Sequence, residues 1–135
     1  MFNFDSPLLY GEAPFPSKNN SVGVVVAAPA LTNATDGTPT STGATNATVD
    51  TDVGDGTLYW AVVTDAGTCT AAQLKAASGG NIVTGGNQAV SGTGTQTVAS
   101  ITGLTAATAY QIKYLQTSAG GADSAQASVD LTTSA

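Results

Sequence analysis

Histidine and arginine are both missing from this 135-residue chain, and cysteine appears once. Without histidine the commonest general base and the commonest neutral metal ligand are gone, so Ser/His/Asp and Cys/His nucleophilic systems are excluded within one chain. Lys18, Lys75 and Lys113 face nine acids, for a formal charge of −6. A phosphate backbone would be repelled, which excludes nucleic acid as a partner. Cys69 has no partner for an intrachain disulfide, and its neighbours Thr68 and Thr70 bring no basic group to lower a thiol pKa, so an inert cysteine is expected. Long apolar runs are absent too. The longest, residues 24–31, is interrupted by Pro29 and is far too short to cross a bilayer, so no membrane partner is expected. Residues 1–5 lack a basic n-region and no apolar h-region follows, which predicts no secretory leader and synthesis in the cytoplasm.

Charged residues make up 9% of the chain, against about a quarter in ordinary soluble domains. Thr, Ser, Asn and Gln must therefore supply the wetted surface, and this hydroxyl-rich, β-branched composition suits strands better than helices. Aromatics are only 6%, and much of the apolar content is Ala and Val, so a thin core is expected. A domain of this size buries a modest share of its unfolded surface, which makes help from oligomerisation or a partner plausible.

Two segments differ in character, and they predict an arm over residues 1–28 and a body over 29–135. Phe2, Phe4, Leu8, Leu9, Tyr10 and Phe15 are broken up by Pro7, Gly11, Pro14 and Pro16, so neither a helical period nor a strand alternation survives. Proline fixes φ and pre-orders an extended segment, which lowers the entropy lost when it lies down on a surface. Those six large apolar side chains are the candidate partner-binding residues, docking on another subunit in preference to folding back as a lid. A β-rich run of residues 21–28 follows, suited to pairing within the domain or with a neighbour.

The body alternates strand-like runs with turn signals at near-regular spacing, which predicts an all-β sandwich of about seven strands. Candidate strands are residues 30–34, 45–51 with Ala47 and Val49 inward, 57–64, 95–101, 109–117, and 124–132 with Ala125, Ala127, Val129 and Leu131 inward. Residues 36–39 are expected to form a turn, and residues 81–84 and 88–91 two edge segments broken by Gly85 and Gly86. The run 57–64 is apolar on both faces and should be central. Tyr110, Ile112, Tyr114 and Gln116 share one face of the 109–117 strand. Trp60, Val62, Ile112 and Val129 are the expected core. One helical insert interrupts the pattern: Thr70 with Gln73 fits a capping box, good helix formers follow, and Gly79 with Gly80 stops it.

Gly103, Leu104, Thr105, Thr108 and Tyr110 resemble the E–F corner of fibronectin type III domains, where a Leu-Thr-x-x-Thr-x-Tyr pattern precedes strand F. The resemblance implies that Leu104 plugs the core and that the Tyr110 hydroxyl bonds to upstream backbone while its ring is buried. Residues 56–64 and 70–75 extend it over roughly 29–133, and the whole looks like the fibronectin III-like (immunoglobulin-like) modules of bacterial surface proteins and tailed-phage virion proteins. The usual tryptophan of strand B is absent, and Trp60 lies in strand C instead. A free-standing copy with an N-terminal arm resembles phage capsid decoration or head-fibre proteins. That resemblance implies a virion-surface location, the major capsid protein or another virion protein as partner, and a homo-oligomer on the particle.

The chemistry-bearing residues are few. Glu12 is the only glutamate, so paired carboxylates must be aspartates, and Asp50, Asp52 and Asp55 form the one cluster. A calcium loop places oxygen ligands at positions 1, 3 and 5 and a bidentate glutamate at 12. Here the third aspartate arrives one residue late and Ala61 holds the twelfth place. A solvated turn is the expected role, with no metal and no cofactor. Gly92 and Gly94 flank a hairpin turn too short to cradle phosphate. The triplets at Asn33 and Asn46 are glycosylation sequons only in a eukaryotic secretory pathway. The expected function is a non-enzymatic virion structural part. A carbohydrate- or cell-surface-binding module is the alternative, and it needs Tyr59 and Trp60 together on an open face.

Overall fold

The computed structural model describes residues 27–135; residues 1–26, including all six candidate anchors, lie outside the described residues. The described chain is all-β with one short helix. Its elements are β1 (Leu31–Thr35), β2 (Thr38–Thr40), β3 (Gly43–Thr45), β4 (Thr48–Thr51), β5 (Thr57–Thr64), α1 (Ala71–Ala76), β6 (Ile82–Ala89), β7 (Gly94–Thr97), β8 (Ala109–Thr117) and β9 (Ala127–Thr132). A four-stranded sheet has the order β9-β8-β5-β6 and a three-stranded sheet the order β1-β4-β7; β2 and β3 form a separate hairpin. Every pairing is antiparallel. Seven strands thus build the two sheets, and the hairpin adds two that the turn signals concealed.

One apolar core joins the two sheets. Leu58, Trp60 and Val62 of β5 meet Tyr110, Ile112 and Tyr114 of β8 and Leu131 of β9, with Val49, Val98, Ala47, Ala44 and Ile101 from the opposite side. Val129 is only half-buried at its margin, since β9 is an edge strand. Ala125 is exposed, because β9 begins at Ala127 and not at Ser124. Likewise the 95–101 segment is a strand only over Gly94–Thr97, and the 45–51 segment is divided at Asn46, whose φ of 59° turns the chain.

The second face of β5 is covered as well. Ala61 and Leu115 pack under Leu74 of α1, ringed by Tyr59, Cys69, Ala71 and Ile82. This is why β5 is apolar on both faces. The helix starts on the capping box, Thr70 Oγ1 accepting from Gln73 N and Gln73 Oε1 from Thr70 N, and ends at Ala77 in a left-handed conformation. Six residues are too few for an independent helix. Full burial of Leu74, worth about 1.5–3 kcal/mol, is what fixes it.

Gly85 and Gly86 do not break β6, which runs unbroken in pairing with β5 past both of them. Their backbone conformation is that of a strand; what matters is the space they leave. A Cβ on Gly86 would sit 3.0 Å from Trp60 Cζ2, and one on Gly85 would sit 2.7 Å from Trp60 O and 3.0 Å from Ala77 Cβ. One glycine admits the indole on the core side, the other the end of the helix outside. The expected turn at 36–39 is likewise a strand from Thr38 onward. Pro39 lies opposite Ala44, whose N–H and C=O both bond Ile101, so the missing proline N–H costs no ladder bond.

The two Asn-Ala-Thr triplets play matching structural parts. Asn33 and Asn46 both have positive φ, Ala34 and Ala47 face the core, and the Thr35 and Thr48 hydroxyls meet at 2.9 Å.

Candidate functional site

The two ends of the sandwich are built differently, and the described residues begin at one of them. Ala30 N donates to Asp52 Oδ1 at 2.8 Å, which fixes the start of the body beside the loop between β4 and β5. That loop is braced from beneath. Gln116, fully buried on β8, donates through Nε2 to Val53 O at 2.8 Å and to Asp55 O at 2.7 Å. Asp55 Oδ1 accepts from Ala119 N at 2.8 Å, and Gly54 approaches Gly92 so closely that a Cβ there would lie 2.9 Å from its backbone. The alternation of β8 puts Gln116 on one face with Tyr110, Ile112 and Tyr114, but its part in holding the loop has no local signal, because its partners lie 61 and 63 residues away. Gln116 Oε1 is buried with no hydrogen-bond partner.

At the opposite end sits the corner. Leu104 and Tyr110 are buried, and Thr105 N donates to the Tyr110 hydroxyl at 3.0 Å. Thr133, also buried, donates to Thr105 O at 2.6 Å and accepts from Thr108 N, and Ser134 N donates to Thr40 O. The C-terminal residues are therefore stitched to the corner, a full strand length from Ala30. Tyr114 ties the sheets midway, its hydroxyl donating to Thr35 O at 3.1 Å; burial, then Asp36, pushes its ionisation well above the ordinary tyrosine range.

The structure does not bring Asp50, Asp52 and Asp55 together. Asp50 accepts from Asn33 Nδ2 at 2.8 Å and Thr95 Oγ1 at 2.7 Å, whereas Asp52 and Asp55 bond the backbone of Ala30 and Ala119. Among the described residues no group of three potential metal ligands occurs. Cys69 is half-buried beside Gln126, and burial raises its thiol pKa. Tyr59 and Trp60 point to opposite faces of β5. Trp60 lies in the core, and Tyr59 sits half-covered under Lys75, whose Nζ is 6.0 Å from the ring centroid. Lys75 also pairs with Asp123 at 2.8 Å.

Two carboxyls lie below the ordinary aspartate range: Asp50 through hydrogen bonds from Asn33 and then Thr95, and Asp123 through those from Lys75 and then Thr117. The stability they lend is complete above the unfolded aspartate value of about 4 and fades as pH falls through their lower folded values. Asp50→Asn should therefore lower Tm at pH 7, where that contribution is complete, and leave it nearly unchanged at the acid end, so that the acid limb of a Tm-against-pH curve flattens. An unchanged acid limb would contradict this.

No pocket indents the surface of the described residues, and Val83, at 43% exposure, is the only large hydrophobic side chain standing out among them. No helix among them is long and apolar enough to cross a membrane. In comparison with known proteins, the chain matches no family model, no curated protein and no solved structure.

Proposed function

We propose that the chain is a non-enzymatic structural protein of a phage virion, decorating or cementing the capsid surface through its N-terminal arm while the β-body projects outward. The observation that carries this is a contrast in where apolar surface resides. The described body buries its large side chains, leaving only Val83 standing out, whereas Phe2, Phe4, Leu8, Leu9, Tyr10 and Phe15 crowd the first fifteen residues. Affinity in protein interfaces concentrates in a few buried aromatic and aliphatic anchors. The arm has such groups in abundance.

A fibronectin III-like identity for the body is supported by the division into four and three strands, by the Tyr110 corner and by Trp60 on a central strand. Fold alone does not carry function, so the virion assignment rests on the arm and on the likeness to capsid decoration proteins. The carbohydrate-binding alternative loses its main support, because Tyr59 and Trp60 form no shared platform. Deleting residues 1–20 should abolish incorporation into particles, with thermal unfolding of the remainder shifted by less than about 0.5 kcal/mol, as for changes away from a core. Undiminished incorporation would refute the assignment.

A further inference from the structure

Four strands have an edge with no partner among the described residues: β6 and β9 flank the larger sheet, β1 and β7 the smaller. Edges invite pairing with other chains unless they are short, charged, bulged or proline-bearing. β7 has four residues, β9 carries Asp130, and β1 breaks register between Thr32 and Thr35. β6 differs from all three. It has eight residues with neither charge nor proline. Its one irregularity falls at Val83, opposite the Val62–Val63 step, leaving residues 84–89 in continuous register with β5.

Such an edge calls for an extended, uncharged segment of about the same length. Residues 21–26 read Ser-Val-Gly-Val-Val-Val: six residues, four of them valine, with no charge and no proline. β-Branched residues favour strands. The rest of the chain before Ala27 is unsuited, since Pro7, Pro14, Pro16, Asp5, Glu12 and Lys18 interrupt it.

Reach decides which molecule supplies the segment. Ala30 is fixed at Asp52 in the smaller sheet, where β1 runs alongside β9. From there β6 lies across about 14 Å of sheet, three strand spacings, and about 10 Å between sheets, or roughly 17 Å in all. The four Cα steps from Val26 to Ala30 span at most about 14 Å when fully extended. Val26 cannot reach the β6 edge of its own body, so the six-residue run cannot pair there over its full length.

We propose that residues 21–26 of one copy add as a fifth strand to the 84–89 edge of β6 in a second copy. Main-chain hydrogen bonds supply the affinity, as in other strand additions. Although each chain carries a charge of −6, this contact zone holds no charged residue on either side, so no like charges are forced together. The inference is independent of capsid docking, which uses residues 2–15.

Mixing two full-length variants tests it, both with Cys69→Ser, one with Val24→Cys and the other with Asn87→Cys, in oxidised glutathione without particles. Asn87 is exposed on β6, so its substitution leaves the core alone. The mixed disulfide should form at least about tenfold faster than in a control pairing Val24→Cys with Asp130→Cys on the opposite edge, because pairing raises the effective thiol concentration. Thr84→Cys in place of Asn87→Cys repeats the test at a second position. Equal rates at both positions would overturn the proposal. So would closure within a single chain carrying both Val24→Cys and Asn87→Cys in preference to a dimer.

Discussion

Trp60→Ala should remove about 3–5 kcal/mol of stability, the usual range for deleting a large buried aromatic, from a total on the order of 5–15 kcal/mol. Trp60 lies between Tyr114 and Gly86 on its two neighbouring strands and is the largest residue in the core. Gly86 has no side chain to move into the space, and Tyr114 is held in place by the bond from its hydroxyl to Thr35 O. The midpoint of thermal unfolding should drop by roughly 15 °C or more. A second substitution separates packing from generic damage. Gly86→Val places its side chain against the indole, where a Cβ alone would already lie 3.0 Å from Cζ2, so in the native background it should be destabilising. In the Trp60→Ala background that neighbour is gone, and the valine partly fills the cavity. The double-mutant cycle should therefore show a coupling of at least about 1 kcal/mol, whereas strictly additive losses would mean that the glycine serves something other than the indole.

Gln116 is the second position where a large effect is expected. Gln116→Leu keeps the volume but strips the donor from Val53 O and Asp55 O, and it also removes the unpartnered Oε1. Losing two hydrogen bonds to part-buried carbonyls, offset by loss of one orphaned oxygen, amounts to about 2 kcal/mol. Gln116→Glu should be worse, at about 4 kcal/mol near neutral pH, because an ionised acceptor then faces two carbonyl oxygens without solvent. Protonation would restore a donor, so the folded pKa of that glutamate is raised. Its penalty should be smallest below the unfolded value of about 4.3 and grow as pH rises through the folded one. Denaturant unfolding at pH 4 and pH 7 reads this directly. A penalty independent of pH would mean that water reaches the site.

These positions mark where local sequence signals stop. The strand at Thr57–Thr64 and the helix with its Thr70–Gln73 cap are legible because apolar alternation and capping are short-range patterns. Gly85 and Gly86 send the opposite local message, a break, and are overruled by an indole and a helix end that arrive from elsewhere in the chain. Pro39 misleads in the same way, since its tolerance depends on where Ala44 sends its backbone bonds. The inward face of β8 is visible in its alternation, yet the loop that Gln116 holds is not. Of the candidate binding residues, the six arm anchors lie outside the described residues, and their reading rests on composition. The three aspartates illustrate the converse case: adjacent in sequence, they are drawn apart by Asn33, Ala30 and Ala119.

Lysine is scarce enough to make trypsin a selective probe of the arm. Lys75 is paired with Asp123 on the helix and Lys113 sits in the central strand β8, which leaves Lys18 as the one cleavage site outside the described body. The decisive measurement is the rate of cutting at Lys18 with the protein free and with it seated on particles. Attachment through the leader predicts rapid cleavage in solution, protection on the particle, and a released fragment, residues 19–135, that no longer binds. Equal cutting rates in the two states, with the trimmed body still held by the particle, would contradict it.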